Sequence, residues 1–453
     1  MKLNKIFFVL SVAAAFAACS NDEVLSVQQN DSDEVVAPES GLVPVRLGIG
    51  TTDITRAAIE SDANKLFELD SIGMFMLARY ETGINAEPLP LDWLRTSPVS
   101  QTVHTGVSSD YPVWVDNRIS RAKKNDGGTA VNVLFRTTDD TNDTLVYYPV
   151  GNWYSYRFYG YYPYQDFSNV EYNAYTRKVH FYGLDGKTDI LWGRSARADL
   201  SDSKEKFAYC AKYFRFSGNS QKYPEVKFKH RMMAFQFQIQ GLPDENAATE
   251  ADKWTGCDSM SIDTIIIVNA PTEAVLTVAD LADDTDDDSD PNCQDGILHC
   301  DWVNNLQDLG VVGWPLIDKD VPGYDEHIDG EFSKKRCHRD SIMDVGQRFL
   351  LPIIDADAVA AGYNVDAQDT SSKYRVKVRL RQHNGTSSET FDHEKPIDLN
   401  ILTSGGYKMG DCYKILLQIS GPKHINMKAT LEPWVDVAPD PSNDQGVKPL
   451  EFN

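Results

Sequence analysis

YKILLQISGPKHINMKATL, residues 413–431, is the stretch on which the fold turns. Tyr413, Ile415, Leu417 and Ile419 recur at every second position, a Gly421-Pro422-Lys423 turn follows, and Ile425, Met427, Ala429 and Leu431 return with the same period. A period of two puts all eight apolar side chains on one face of an antiparallel hairpin, with Trp434 just past its end. Upstream, Tyr374, Val376, Val378 and Leu380 alternate with Arg375, Lys377, Arg379 and Arg381 in the same manner. Ile265 to Val268 is apolar throughout and predicts a strand buried on both sides. Val226 to Gln240 also alternates, but Val226, Phe228, Met232 and Ala234 share one parity while Phe235, Phe237 and Ile239 share the other. One extra residue near Met233 to Phe235, a β-bulge, would keep both halves facing a core.

The first half reads the same way. Tyr154, Tyr156, Phe158 and Gly160 fall on one face of an aromatic strand, Ser155, Arg157, Tyr159 and Tyr161 on the other, and the strand ends at a turn around Pro163. Ile72 to Leu77 is a buried run, and residues 81–144 read as long loops with short strands such as Val131 to Phe135. Val43, Val45, Leu47 and Ile49 share a strand face, with Pro44 placing that strand at an edge or at its first residues. No long segment carries a 3.6-residue period. The body is therefore expected to be all-β and mainly antiparallel, in two sandwiches divided near residue 222: an N-terminal domain over 41–222 and a C-terminal one over 223–453.

Ahead of the body stands MKLNKIFFVLSVAAAFAACSNDE. Lys2 and Lys5 precede an uncharged run, Ile6 to Ala18, too short to span a bilayer as a helix. Small residues lead into Cys19, so residues 1–18 look like a lipoprotein signal peptide. Lipidation of Cys19 with diacylglycerol and an acyl chain such as palmitate would anchor the protein on a membrane without spanning it. Residues 19–40, with Asp22, Glu23, Asp31, Asp33, Glu34 and Glu39, read as a flexible tether.

The formal net charge of -23 disfavours nucleic acid as a partner, because a phosphate backbone demands a basic face. Six cysteines remain once Cys19 is set aside, and an even count in an exported chain permits disulfides. Cys293 and Cys300 are the close pair and the candidate bridge; unpaired buried thiols are the alternative. No HExxH, GxSxG, GxGxxG or Walker pattern occurs, so no catalytic residue, cofactor or metal is assigned. The acidic run Asp283 to Asp290 offers hard oxygen ligands for calcium but lacks the spacing of an EF-hand loop, and a solvated loop explains it. Cys337-His338 with His299-Cys300 could bring four zinc ligands together, against their irregular spacing. The Arg375–Arg381 comb could meet an anionic glycan or simply face solvent, and Trp153, Tyr154, Tyr156 and Tyr159 could stack on sugars or pack in the core.

Several of these pieces together resemble the fimbrillin family, pilin-like surface lipoproteins of Gram-negative anaerobes. The pieces are the lipobox with Ser20-Asn21-Asp22-Glu23, Thr55-Arg56-Ala57, F-Y-G-Y-Y-P-Y at Phe158 to Tyr164, T-D-I-L at Thr188 to Leu191, V-K-F-K-H at Val226 to His230, and A-T-L-E-P-W at Ala429 to Trp434. The resemblance implies two tandem transthyretin-like β-sandwiches, anchored by lipid on the cell outer membrane and assembled into fimbriae that serve adhesion. It implies proteolysis between Arg56 and Ala57, which would remove the anchor and first strand. The groove left behind would be filled by a strand from another fimbrial subunit or a second copy. A non-polymerising surface lipoprotein that binds a host or bacterial glycan or protein is the other function this sequence suggests.

Overall fold

The computed structural model describes residues 43–49, 71–81, 91–94, 111–124, 131–137, 142–149, 154–196, 209–211, 214, 223–250, 252–282, 293–300, 304–311, 337, 339, 342–352, 374–384, 387–396 and 409–432. Among them the chain is nearly all β. The first strands are β1 (Gly48–Ile49), β2 (Ile72–Glu81), β3 (Val113–Lys124), β4 (Val131–Arg136), β5 (Asp143–Thr144), β6 (Tyr154–Tyr162), β7 (Val170–Tyr172), β8 (Thr176–Phe181), β9 (Leu191–Ser195) and β10 (Glu225–His230). After the crossover come β11 (Met233–Gly241), a four-residue helix α1 (Thr255–Asp258), β12 (Met260–Pro271), β13 (Ala274–Asp280), β14 (Leu298–Cys300) and β15 (Leu306–Gly310). The last are β16 (Ile342–Leu350), β17 (Arg375–Asn384), β18 (Ser387–Pro396), β19 (Cys412–Gly421) and β20 (His424–Glu432).

In the first half the sheet order is β1-β10-β9-β6-β2-β3-β4, and β1 pairs back onto β4, which closes seven strands into a barrel with β5 as an overhang on β4. Closure abolishes the sheet edges that an open sandwich would leave. Two of its strands need glycine where they cross: Gly160 pairs with Gly193, and a Cβ on Gly193 would sit 2.5 Å from the Lys227 carbonyl oxygen. The aromatic strand β6 explains why both its faces are apolar. Tyr154, Tyr156 and Phe158 point into the barrel, with Ile72, Met74 and Met76 of β2. Tyr159 and Tyr161 point outward, with Phe75 and Leu77, into a second core.

That second core is continuous through the rest of the molecule. The barrel's outer face meets a sheet of order β14-β13-β8-β7, where Trp192 Nε1 donates to the Val278 carbonyl at 2.9 Å and the Tyr161 and Phe181 rings meet edge to face. Two further four-stranded sheets, β16-β11-β19-β20 and β15-β12-β17-β18, interleave Phe235, Phe237 and Ile239 with Ile265, Ile267, Val376 and Val378. The β19–β20 hairpin has the expected register, Ile415 opposite Ala429 and Leu417 opposite Met427.

Two expectations are corrected. The change of parity after His230 is no bulge near Met233 to Phe235: β10 ends at His230, the chain leaves the barrel through Arg231 and Met232, and β11 starts a different sheet. The irregularity in β11 lies between Phe237 and Gln238 instead. The 81–144 region holds a twelve-residue strand, β3, hidden in the sequence because Asp116, Asn117, Arg118 and Ser120 are polar yet buried. In the first half seven strands close into a barrel, and strands from either side of residue 222 pair with one another, β10 with β9 and β13 with β8.

Candidate functional site

The segment Val43 to Ile49 completes the barrel between two strands that are distant in sequence. Val45, Leu47 and Ile49 point into the barrel and are 7%, 2% and 1% exposed, while Arg46 between them lies beside Tyr223. At its start the segment bonds to the chain before β6: Tyr148 N–H donates to Val43 O and Val45 N–H to Val146 O, both at 2.8 Å. Further on it is wedged between two strands. Gly48 and Ile49 pair parallel to Glu225 and Val226 of β10 and antiparallel to Asn132 and Val131 of β4. Val133 N–H donates to Leu47 O at 2.9 Å and Gly48 N–H to Pro224 O at 3.0 Å. Pro44 sits at the first residues of this stretch, where its missing N–H costs no ladder bond.

Without Val43 to Ile49, β4 and β10 would each present an unpaired backbone edge across a gap lined by Val133, Phe135, Val226 and Phe228. Such a gap has the dimensions of one strand, with backbone groups along its two edges and apolar pockets at alternate positions. Sequence reading placed the occupying strand but not its pairing with these two walls. Val131 to Phe135 and the V-K-F-K-H alternation each read as a strand, but β4 and β10 are far apart in the chain and no local pattern shows that they flank one segment.

The two motifs T-D-I-L and V-K-F-K-H meet in the structure. Leu191 pairs with His230, and the His230 Nδ1 and Asp189 carboxylate form a short contact in the buried strand ends. Burial pushes the Asp189 carboxyl above the ordinary range, opposed by His230 and by backbone N–H groups of Ile190 and Met232. The pair fastens β9 to β10, and β10 is one wall of the gap.

The remaining candidates are placed as follows. Cys19, Arg56, Ala57, Trp153, His338 and Asp283 to Asp290 lie outside the described residues. Cys293 and Cys300 are both buried, Cys300 at the end of β14 and Cys293 with its Sγ donating toward Asp295 O. Among the described residues no group of three or more His, Cys, Asp or Glu comes together. Tyr154, Tyr156 and Tyr159 are core residues, so they form no sugar platform, and burial holds the Tyr159 phenol up at about 12. The basic comb is matched by acids on its neighbours: Arg375 Nε bonds Glu394 at 2.6 Å, Arg379 grips Asp392 with two bonds, and Arg381 grips Asp263 of β12. No helix among the described residues is long and apolar enough to cross a membrane.

No family model matches the chain, and no curated protein does. Solved structures align with most of it. A "putative cell adhesion protein" from Bacteroides uniformis is 14% identical, covering 88% of this chain and 100% of its own, with a TM-score of 0.41. Another, from Bacteroides ovatus, is 12% identical over 87% of this chain and 98% of its own, with a TM-score of 0.38. The fimbrial anchor protein Mfa2 from Porphyromonas gingivalis is 8% identical over 86% of this chain and 98% of its own, with a TM-score of 0.28.

Proposed function

We propose that this chain is a non-enzymatic, fimbrial-type surface protein, structural or adhesive, in which Val43 to Ile49 is a removable plug. The observation that carries this reading is the wedging of that strand between β4 and β10, with three apolar side chains inserted into the barrel and a basic residue, Arg56, seven positions beyond its end. Most strands that fill a core this way are bracketed by covalent connections that hold them there. Here a single cut after Arg56 would release the strand together with everything before it.

Lipidation at Cys19 belongs to the same reading, and so does a location at the outer membrane. The anchor would hold the precursor at the surface and the cut would free the body from it. Tandem transthyretin-like organisation, divided near residue 222, is likewise part of the proposal, with β10 reaching across that division to complete the barrel. The partner is another fimbrial subunit or a second copy, and its donor strand must present apolar residues at alternate positions to refill the pockets of Val45, Leu47 and Ile49.

The test is trace digestion of the chain from residue 20 with an arginine-specific protease, followed by an unheated denaturing gel. Cleavage after Arg56 followed by an SDS-resistant ladder supports strand exchange, and Arg56→Ala should abolish both. A cut protein that stays monomeric and keeps its plug, or one digested elsewhere first, sinks the proposal.

A further inference from the structure

Cys257 and Cys337 are far apart in sequence yet adjacent in the fold. Cys257 lies in α1 and is fully buried; Cys337 is 4% exposed, and the Cys257 Sγ lies 3.8 Å from the Cys337 carbonyl oxygen. Cys337 itself is pinned in place, since its N–H donates to Met260 O at 3.1 Å, at the start of β12. Two residues on, Arg339 forms a fork-like pair with Asp258 and lies over the Trp254 ring at 5.3 Å, while its backbone bridges Gly241 at the end of β11. The ion pair thus fastens Arg339 to α1 and the backbone bonds tie Cys337 to β12 and Arg339 to β11, which holds the two cysteines, both thiols in the structure, next to one another.

We propose that Cys257 and Cys337 are joined by a disulfide that locks the approach to β16 onto α1 and the start of β12. The inference rests on the reading of the chain as exported, because such bonds persist in an oxidising envelope. It differs from the bridge that sequence spacing suggests, Cys293 to Cys300, by pairing cysteines 80 residues apart.

The chemistry is a two-step exchange with a disulfide oxidant, either a thiol-disulfide oxidoreductase or a small disulfide such as oxidised glutathione. One cysteine thiolate attacks the oxidant's disulfide, forming a mixed disulfide and expelling one thiol. The second cysteine, as thiolate, then attacks that mixed disulfide, closing the Cys257–Cys337 bond and expelling the second thiol. The two protons go to solvent or to the expelled thiolates, and the two electrons reside in the reduced oxidant. In the folded chain, burial pushes the Cys337 thiol well above its ordinary value, with Cys257 adding to the effect. A buried thiol of that kind is a poor nucleophile, so the bond closes while the segment is still open to solvent and the fold then seals it.

The experiment is refolding of the chain from residue 20 in oxidised and reduced glutathione, with alkylation under denaturing conditions, non-reducing digestion and mass spectrometry. The expected result is a linked pair of peptides containing Cys257 and Cys337, two hydrogens lighter than the sum of the separate peptides and released by a reductant. Reduction should also lower the thermal midpoint by about 5 °C, given the long loop that the bond closes. Alkylated Cys257 and Cys337 in protein refolded to native circular dichroism, or either residue linked to a different cysteine, overturns the inference. This readout needs neither the Arg56 cut nor assembly, so its failure and the failure of the plug reading are seen separately.

Discussion

Arg177 shows how a charge is made affordable inside this molecule. It is fully buried on β8, its Nε and Nη2 grip both oxygens of Asp116 at 2.9 and 3.2 Å, and its remaining donors reach the carbonyls of Asn173, Thr176 and Trp93. The guanidinium also lies over the rings of Trp93 and Tyr172. Burial raises the Asp116 carboxyl while Arg177 pulls it back. Removing one partner leaves a buried charge alone, which is far worse than removing both. Arg177→Met should therefore destabilise the protein by about 3–5 kcal/mol, and adding Asp116→Leu should return part of that loss. Urea unfolding of the two variants measures it; a double variant that is additive would mean the pair is not coupled.

At the scale of elements, β18 is held chiefly by what faces it. Apart from the half-buried Phe391 and His393, its residues from Ser387 to Glu394 are exposed and polar, and its register with β17 places Arg379 opposite Asp392 and Lys377 opposite Glu394. Hydrogen bonds from Arg379 and Arg375 hold the Asp392 and Glu394 carboxyls below their ordinary values. Groups depressed in the folded state stabilise it above their unfolded pKa, and that stabilisation is lost as pH falls through the folded value. The hairpin should be intact above about pH 5 and weaken progressively below it. Amide exchange, corrected for intrinsic rates, should show β18 losing protection between about pH 5 and pH 3 while β11 and β19 keep theirs. Uniform loss across all three strands would count against local control by these ion pairs. This hairpin also marks the limit of what the sequence made legible. The alternation of β17 and the β19–β20 turn were readable because apolar residues repeat along one chain segment. β18 and β3 were not, since their burial or pairing depends on residues brought from elsewhere: Arg375 and Arg379 for one, Arg177 and Tyr161 for the other. The plug strand was legible as a strand, whereas its parallel pairing with β10 and the closure of the barrel are long-range facts that no local pattern carries.

For the whole molecule, the separation of its two cores sets what plug removal can do. Val45, Leu47 and Ile49 belong to the core inside the barrel, whereas the larger core runs from the barrel's outer face through every remaining sheet. Burying three such side chains contributes roughly 5–9 kcal/mol at about 1.5–3 each, comparable to the total stability of an ordinary domain. A chain beginning at Ala57 should therefore keep β11, β12, β17 and β19 protected while β4 and β10 open, because only the smaller core is emptied. Hydrogen exchange read by mass spectrometry gives both halves in one sample. Adding a peptide of residues 43–51, VPVRLGIGT, should restore protection to β4 and β10, and the same peptide carrying Leu47→Arg should not, since it would bury a charge where Leu47 is 2% exposed. If the truncated chain protects β4 and β10 unaided, the barrel closes without its plug and has no site for a donor. If it loses protection everywhere, the two cores fold as one unit and cleavage would destroy the protein rather than prime it for assembly.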